Sequence, residues 1–245
     1  MGLDCFGKKD NDEQERKGNE IIIAKYSNNN YTKLYESQIG FYNAGGSCYM
    51  ASIIQILIHL RSFIEKFINQ KYQKNTLSKL LHDFLVQIIN SNKPIEISNF
   101  SKAYHKINHK FSGDKGNNPM TFFTEFIKQL EEENKNKGLL DLFTGKNLIK
   151  FEGLDEADYD EVFIFFMITL DKDNTNIVKA INKEKEMEDD KNVKIIEKIV
   201  LKPEIFIINL EVDGIDYSFE EEIFIDEIKY ELKGINEYND FHSTV

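Results

Sequence analysis

A cysteine that follows a glycine-rich turn is the first residue whose surroundings suggest chemistry. Cys48 comes directly after Gly45-Gly46-Ser47 and directly before a long apolar run, which places it at the start of a helix. A thiol attacks as a thiolate, and the N-terminus of a helix stabilises that negative charge. The backbone N–H of Cys48 and the side-chain amide of Asn43 are candidate donors to a developing oxyanion. The residues alone leave two interpretations open, a nucleophile or a buried structural cysteine.

A cysteine nucleophile needs a general base, and histidine commonly fills that role. The chain has five histidines: His59, His82, His105, His109 and His242. Of these, only His242 lies in the strand-rich second half. The i, i+4 pair of His105 and His109 lacks the acidic residue of an H-E-x-x-H motif, so we predict no metal site. We expect no cofactor, because the segments at 144–147 and 171–176 lack the glycine and ligand positions of phosphate and calcium loops.

The elements that must position these residues change character near residue 145. Helical periodicity predicts a long helix over 48–68, a second over 77–90, a third with Ser98 as N-cap, and a fourth over 120–134. After residue 145 the chain is rich in Ile, Phe and Val between turn residues, which is typical of strands. The charged segment 182–192 is predicted to be a solvated loop or helix face. Such segregation favours an α+β fold with a helical lobe against an antiparallel sheet.

Composition excludes several classes of protein. Lys plus Arg is 31 and Asp plus Glu is 42, so the net charge is −11 and no general nucleic-acid binding is expected. Two cysteines without a C-x-x-C pair predict a reducing, intracellular compartment, cytoplasmic or nuclear. No segment has the length of a membrane span. Gly2 and Cys5 suggest lipid anchoring, but Phe6 stands where the myristoylation motif needs Ser or Thr.

Residues 40–55, “GFYNAGGSCYMASIIQ”, resemble the cysteine box of the ubiquitin-specific proteases, a papain-like family of deubiquitinases. That box reads roughly G-[LF]-x-N-x-G-N-T-C-[YF]-M-N-[SA]-x-x-Q. Gly46 and Ser47 replace its Asn-Thr pair, and Ala51 replaces a further Asn. The matching residues are Gly40, Asn43, Gly45, Cys48, Tyr49, Met50, Ser52 and Gln55. The resemblance implies that Cys48 is the nucleophile.

Two later segments resemble the same family in the expected order. “MTFFTEFIKQLEEE” resembles a helix that reads Q-Q-D-A-x-E-F-L, with Glu125 and Phe126 matching and Phe122 in place of the aspartate. The two acids of that helix face the arginines of the ubiquitin tail, which implies substrate binding by Glu125; a solvated helix acid is the alternative. “YELKGINEYNDFHSTV” resembles the histidine box, which implies that His242 is the base.

The resemblance covers roughly residues 36–245 and implies a papain-like cysteine protease fold of class α+β. We expect a helical thumb with Cys48, an antiparallel-sheet palm with His242, and reduced fingers without zinc, because the family's two C-x-x-C pairs have no counterpart. The chain divides into a flexible polar tail at 1–30 and a catalytic domain at 31–245, with the thumb at 31–145 and the palm at 146–245. The palm is expected to be short at its C-terminus, and the Asp or Asn that orients the family's histidine is not identified.

The leading hypothesis is a thiol-dependent deubiquitinase that hydrolyses the (iso)peptide bond after the C-terminal glycine of ubiquitin. Its partners would be ubiquitin or ubiquitin-conjugated proteins. The alternative is a catalytically inactive module of the same fold that binds ubiquitin or serves a larger assembly. A third hypothesis is an unrelated cysteine peptidase or acyltransferase with this fold.

Overall fold

The computed structural model describes residues 34, 39–42, 46–68, 70–111, 117–134, 138–152, 158–170, 172, 175–182, 185–188, 194–212, 220–225, 227–239 and 242–244. The predicted polar tail at 1–30 lies outside these residues. The two compact units of the chain divide between residues 116 and 117. The first takes Met1–Gly116 together with Asp240–Thr244, and the second takes Asn117–Asn239.

The described residues contain six α-helices: α1 (Cys48–His59), α2 (Arg61–Ile68), α3 (Leu77–Asn90), α4 (Ser98–Ile107), α5 (Pro119–Glu133) and α6 (Ile177–Asn182). They also contain twelve strands: β1 (Phe41–Tyr42), β2 (Ile95–Glu96), β3 (Gly145–Glu152), β4 (Tyr159–Phe163), β5 (Phe166–Leu170), β6 (Lys185–Glu188), β7 (Lys194–Leu201), β8 (Ile208–Val212), β9 (Glu222–Ile225), β10 (Ile228–Glu231), β11 (Glu237–Asn239) and β12 (His242–Thr244). Short 3₁₀ turns follow α4 at His109–Phe111 and α5 at Leu140–Leu142.

The long helix predicted over 48–68 is in fact two helices. Leu60 has extended backbone angles of φ −89° and ψ 99°, which end α1. Its carbonyl then accepts a hydrogen bond from Ile64 N at 3.1 Å as α2 begins. The break keeps Leu60 buried and turns Phe63, Ile64 and Phe67 into the core, where each is fully buried. The free energy gained by burying these apolar groups outweighs the local propensity of the segment to continue as one helix.

The next two helices of the first unit follow the predicted pattern closely. Helix α3 spans 77–90, and Thr76 caps it by accepting a hydrogen bond from Lys79 N at 3.1 Å. Helical spacing predicts one apolar face, of which all members are buried except Leu80, which is half-buried: Leu77, Leu80, Leu81, Phe84, Leu85 and Ile88. Ser98 is the first residue of α4 rather than its N-cap, a position held by Ile97. The Ser98 hydroxyl instead donates to Glu96.

The second unit begins with α5, which buries the predicted inward face. Asn118 caps the helix, because its side-chain oxygen accepts hydrogen bonds from Met120 N at 2.9 Å and Thr121 N at 3.1 Å. Helical spacing predicts an inward face of Phe123, Phe126, Ile127 and Leu130, and all four are buried. Phe122, which that prediction does not include, is buried as well. The Glu131 carboxylate accepts hydrogen bonds from the backbone N–H groups of Leu139 and Leu140, which holds the following 3₁₀ turn against the helix.

The sheets of the second unit are partly antiparallel and partly parallel. Four strands form an antiparallel sheet in the order β4-β3-β7-β6, and β9 and β10 form an antiparallel hairpin. Strands β5 and β8 pair in parallel, which the expectation of a wholly antiparallel palm missed. The charged segment expected to be a loop or helix face contains strand β6. Pairing with β7 explains this strand, because cross-strand contacts can override the low strand propensity of Lys and Glu.

The core of the second unit lies where α6 packs on β5 and β9. Its buried residues are Phe166, Ile168, Leu170, Ala180, Ile181 and Ile225. The apolar run at 161–170 predicts a single strand, but the chain bends at residues 164–165 and forms β4 and β5. Strand β4 joins the four-stranded sheet, while β5 enters this core. The mixture of helices and sheets is compatible with the predicted α+β class.

Candidate active site

Cys48 is the first residue of α1, as the sequence predicts. The Ser47 carbonyl accepts the opening hydrogen bonds of the helix from Met50 N at 3.1 Å and Ala51 N at 2.9 Å. The Cys48 thiol is free, and the residue is only 7% exposed. Because the first N–H groups of a helix have no intrahelical acceptor, this position directs backbone donors and the positive end of the helix dipole towards the thiol.

Gly46 gives the turn before the cysteine its shape. Its φ is +48°, in the left-handed region that glycine adopts without strain. Asn is the other residue that enters this region readily, and Asn is usual at this position of the family's cysteine box. The replacement of Asn by Gly at residue 46 therefore preserves the backbone conformation on which the turn depends.

The chain that enters the turn is held by a short parallel pairing. Strand β1 lies beside β2, with Ile95 N donating to Gly40 O at 3.2 Å and Ile97 N donating to Tyr42 O at 3.3 Å. The Phe41 ring packs in the helical core with its centroid 5.4 Å from that of Phe84. Residues 41 and 42, which precede the turn in sequence, are thus held by α3 and β2.

A glutamine of α1 ties the helix back to this entry. The Gln55 side-chain nitrogen donates to Ile39 O at 3.2 Å and lies 3.3 Å from His59 Nε2. Gln55 lies two helical turns after Cys48, on the same face of α1. Residue 55 matched the cysteine box, but sequence reasoning gave it no role, because the hydrogen bond depends on where β1 runs.

Tyr49 anchors the start of α1 on its other side. The residue is 1% exposed, and its hydroxyl donates to Phe111 O at 3.5 Å and lies 3.5 Å from His105 Nε2. Burial lowers the pKa of the His105 imidazole below its ordinary value. A neutral ring at this point suits the apolar packing of Tyr49 against Phe111, whose ring centroids are 6.1 Å apart.

The structure brings the predicted base into the same unit as the predicted nucleophile. Strand β12, which begins at His242, packs beside α1, which begins at Cys48. The third predicted catalytic residue, Asn43, lies outside the described residues. Sequence reasoning paired Cys48 with His242 because His242 is the one histidine of the strand-rich half and through the family resemblance, since no local pattern links positions so far apart.

Glu125 lies on α5, in the second compact unit. It is half-buried there. Phe122, three residues earlier, is fully buried and packs against Phe126 with a centroid distance of 5.1 Å. The residue that replaces the family's aspartate is therefore a core residue here.

Neither metal ligation nor membrane insertion is indicated by the part of the chain that the structure describes. Among those residues, no group of three or more His, Cys, Asp or Glu side chains is arranged to hold a metal ion. None of the described helices combines the length and apolarity that crossing a bilayer requires.

A buried helix that starts with a free cysteine, next to a strand that carries a histidine, is an arrangement typical of papain-like cysteine hydrolases. The family model described as ubiquitin carboxyl-terminal hydrolase matches residues 39–213, more than half of the chain. The protein belongs to this family, and membership supports a papain-like fold and a deubiquitinase-type function in general terms. The matched range contains Cys48, Asn43 and Glu125 and ends before His242. Comparison with curated proteins gives no match.

Proposed function

We propose that the protein is a thiol-dependent deubiquitinase that cleaves the (iso)peptide bond after the C-terminal glycine of ubiquitin. The observation that carries the proposal is the packing of β12, with His242, beside the helix that begins at Cys48. Family membership supplies the substrate class. The free thiol of Cys48 suits a reducing compartment, in which it stays available.

The proposed reaction proceeds through an acyl-enzyme. His242 takes the thiol proton, and the Cys48 sulfur attacks the carbonyl carbon of the last glycine. The Cys48 N–H and the Asn43 amide donate hydrogen bonds to the oxyanion of the tetrahedral intermediate. Collapse breaks the C–N bond, and the proton held by His242 goes to the leaving lysine amine. Water, deprotonated by His242, then attacks the thioester and releases the ubiquitin carboxylate and the Cys48 thiol.

Labelling with a ubiquitin derivative that carries a C-terminal electrophile tests this proposal. We expect the wild-type chain to form one covalent adduct, and we expect Cys48→Ala to form none. Cys5→Ala is the matched control, because Cys5 is the only other cysteine, and it should label normally. His242→Asn should label much more slowly, because the thiolate loses its base. Failure of the folded wild-type chain to label would refute the enzyme proposal, and ubiquitin binding without labelling would indicate the inactive module.

We also propose that Glu125 binds the arginines of the ubiquitin tail. Its position on the helix that matches the family motif supports this role, since a carboxylate pairs well with a guanidinium. Glu125→Gln should weaken ubiquitin binding, measured by calorimetry, while Glu132→Gln on the exposed side of the same helix should not. Equal affinities for both variants would contradict the assignment.

The counterpart of the fingers is proposed to be the segment around the β3–β4 hairpin, without zinc. The chain has only two cysteines, Cys5 and Cys48, so it cannot supply the family's four thiolate ligands. The domain division into 1–30 and 31–245, with thumb 31–145 and palm 146–245, is part of the same proposal. Zinc in stoichiometric amount in the purified protein would contradict the proposal of zinc-free fingers.

A further inference from the structure

The hydrogen bond from Gln55 to Ile39 joins two parts of the chain that flank the cysteine turn. Ile39 lies directly before β1, and Gln55 lies on the helix that Cys48 begins. Between them, residues 40–47 run through β1 and the turn. Because β1 is also bound to β2 through Gly40 and Tyr42, the hydrogen bond from Gln55 fixes the distance between the entry of the turn and α1.

The orientation of the Gln55 amide follows from its neighbours. The Ile39 carbonyl can only accept a hydrogen bond, so the amide nitrogen must face it. That nitrogen carries two hydrogens, and the second is directed at His59 Nε2, 3.3 Å away. The tautomer of His59 that is protonated at Nδ1 can accept this hydrogen at Nε2. With both hydrogens engaged in this way, the amide has one preferred orientation rather than two.

We infer that Gln55 is a positioning residue for the cysteine turn, an inference that rests on the proposed deubiquitinase function. The oxyanion donors assigned to that function are the Cys48 N–H and the Asn43 amide, and the turn must hold both within hydrogen-bonding distance of one oxygen. The hydrogen-bonding partners of Gln55 are Ile39 and His59, so its effect on the reaction is indirect. It acts by holding Ile39, at the entry of β1, against α1, the helix that Cys48 begins.

Two substitutions separate the hydrogen bond from simple packing. Gln55→Glu has nearly the same shape but replaces the donor nitrogen by an acceptor oxygen, which repels the Ile39 carbonyl. Gln55→Met fills a similar volume with no donor. Gln87→Glu is the matched control, because it makes the same charge change on an exposed position of α3. Both substitutions at residue 55 remove the donor and keep the side-chain volume nearly unchanged. An effect that they share is therefore due to the hydrogen bond and not to packing.

The experiment measures three quantities for each variant: the rate of labelling by the ubiquitin electrophile, the affinity for ubiquitin, and amide hydrogen exchange in peptides covering 39–47. We expect Gln55→Glu and Gln55→Met to label about three- to tenfold more slowly, the effect of one hydrogen bond. Affinity for ubiquitin should match the wild type, and the melting temperature should fall by no more than about 2–6 °C, the loss of one hydrogen bond. Exchange in 39–47 should be about threefold or more faster. Gln87→Glu should resemble the wild type in all three.

Several outcomes would overturn the inference. Wild-type labelling and exchange in a folded Gln55 variant would do so, as would a loss of ubiquitin affinity large enough to account for the slower labelling. If Gln55→Glu fails to fold, Gln55→Met decides, and failure of both to fold assigns Gln55 to stability alone. If the wild type does not label, the proposed function fails, and hydrogen exchange still tests Gln55 by itself.

Discussion

The left-handed conformation of Gly46 leads to a prediction that can be worked out from the structure. At a φ of +48°, a Cβ approaches the following carbonyl oxygen, which costs about 1–2 kcal/mol for an L-residue. Alanine also restricts the unfolded chain, which favours folding by about 0.4–1 kcal/mol. Gly46→Ala should therefore lower the free energy of unfolding by about 1 kcal/mol. Gly46→Asn, which restores the usual residue of the cysteine box, should lower it less, because Asn tolerates this region.

Gly40→Ala is the matched control for this prediction. Gly40 has no atom within 4 Å of the position a Cβ would take, and its φ is outside the left-handed region. Without strain, only the effect on the unfolded chain remains, so this variant should be slightly stabilised. The two alanine variants should differ by about 1–2 kcal/mol, or about 2–8 °C in melting temperature for a chain of this size. Urea and thermal unfolding measure both, and equal stabilities would refute the reasoning.

Three further predictions concern packing and pH. Gly145→Ala places a Cβ 2.2 Å from Phe163 Cζ, so the ring must move, and urea unfolding should show a loss of about 1–3 kcal/mol that Phe163→Leu relieves in the double variant. Phe122→Asp restores the family's acid at a fully buried position against Phe126, and should cost at least about 3–5 kcal/mol; a loss below about 1 kcal/mol would contradict the core assignment. Burial lowers the pKa of His82 in the folded state, so on acidification the unfolded state binds a proton at a higher pH than the folded state. The stability that neutral His82 contributes is present above about pH 6.5 and is lost below it, and His82→Gln should reduce the loss measured between about pH 7.5 and about pH 5.5.

Helices α3 and α5 could be predicted from the sequence because their apolar residues recur at helical spacing and local caps mark where they begin. The capping side chains of Thr76 and Asn118 lie beside the residues they cap. Such signals need no knowledge of the rest of the chain. The start of α1 at Cys48 was predictable for the same reason, since a glycine turn directly precedes an apolar helical run.

The features that sequence reasoning missed depend on distant partners. The break at Leu60 allows the following residues to be buried in the core, and no Pro or Gly marks its position in the sequence. The parallel pairing of β5 with β8 brings Phe166 opposite Ile208, far along the chain. The strand character of 185–188 comes from pairing with the next strand, β7, which its charged sequence does not reveal. The same holds within the candidate site, where the hydrogen bond from Gln55 to Ile39 requires that β1 run past the middle of α1.

Strand β12 belongs to the first compact unit, but it follows the second unit in the sequence. It is therefore synthesised after residues 117–239. Polypeptides leave the ribosome N-terminus first, at about 5–20 residues per second. Helix α1 with Cys48 therefore emerges well before β12 exists, and the thiol spends that interval without the strand that carries His242. Translation of residues 117–239 must finish before the two can meet, so under the proposed mechanism the nascent thiol has no general base during that interval.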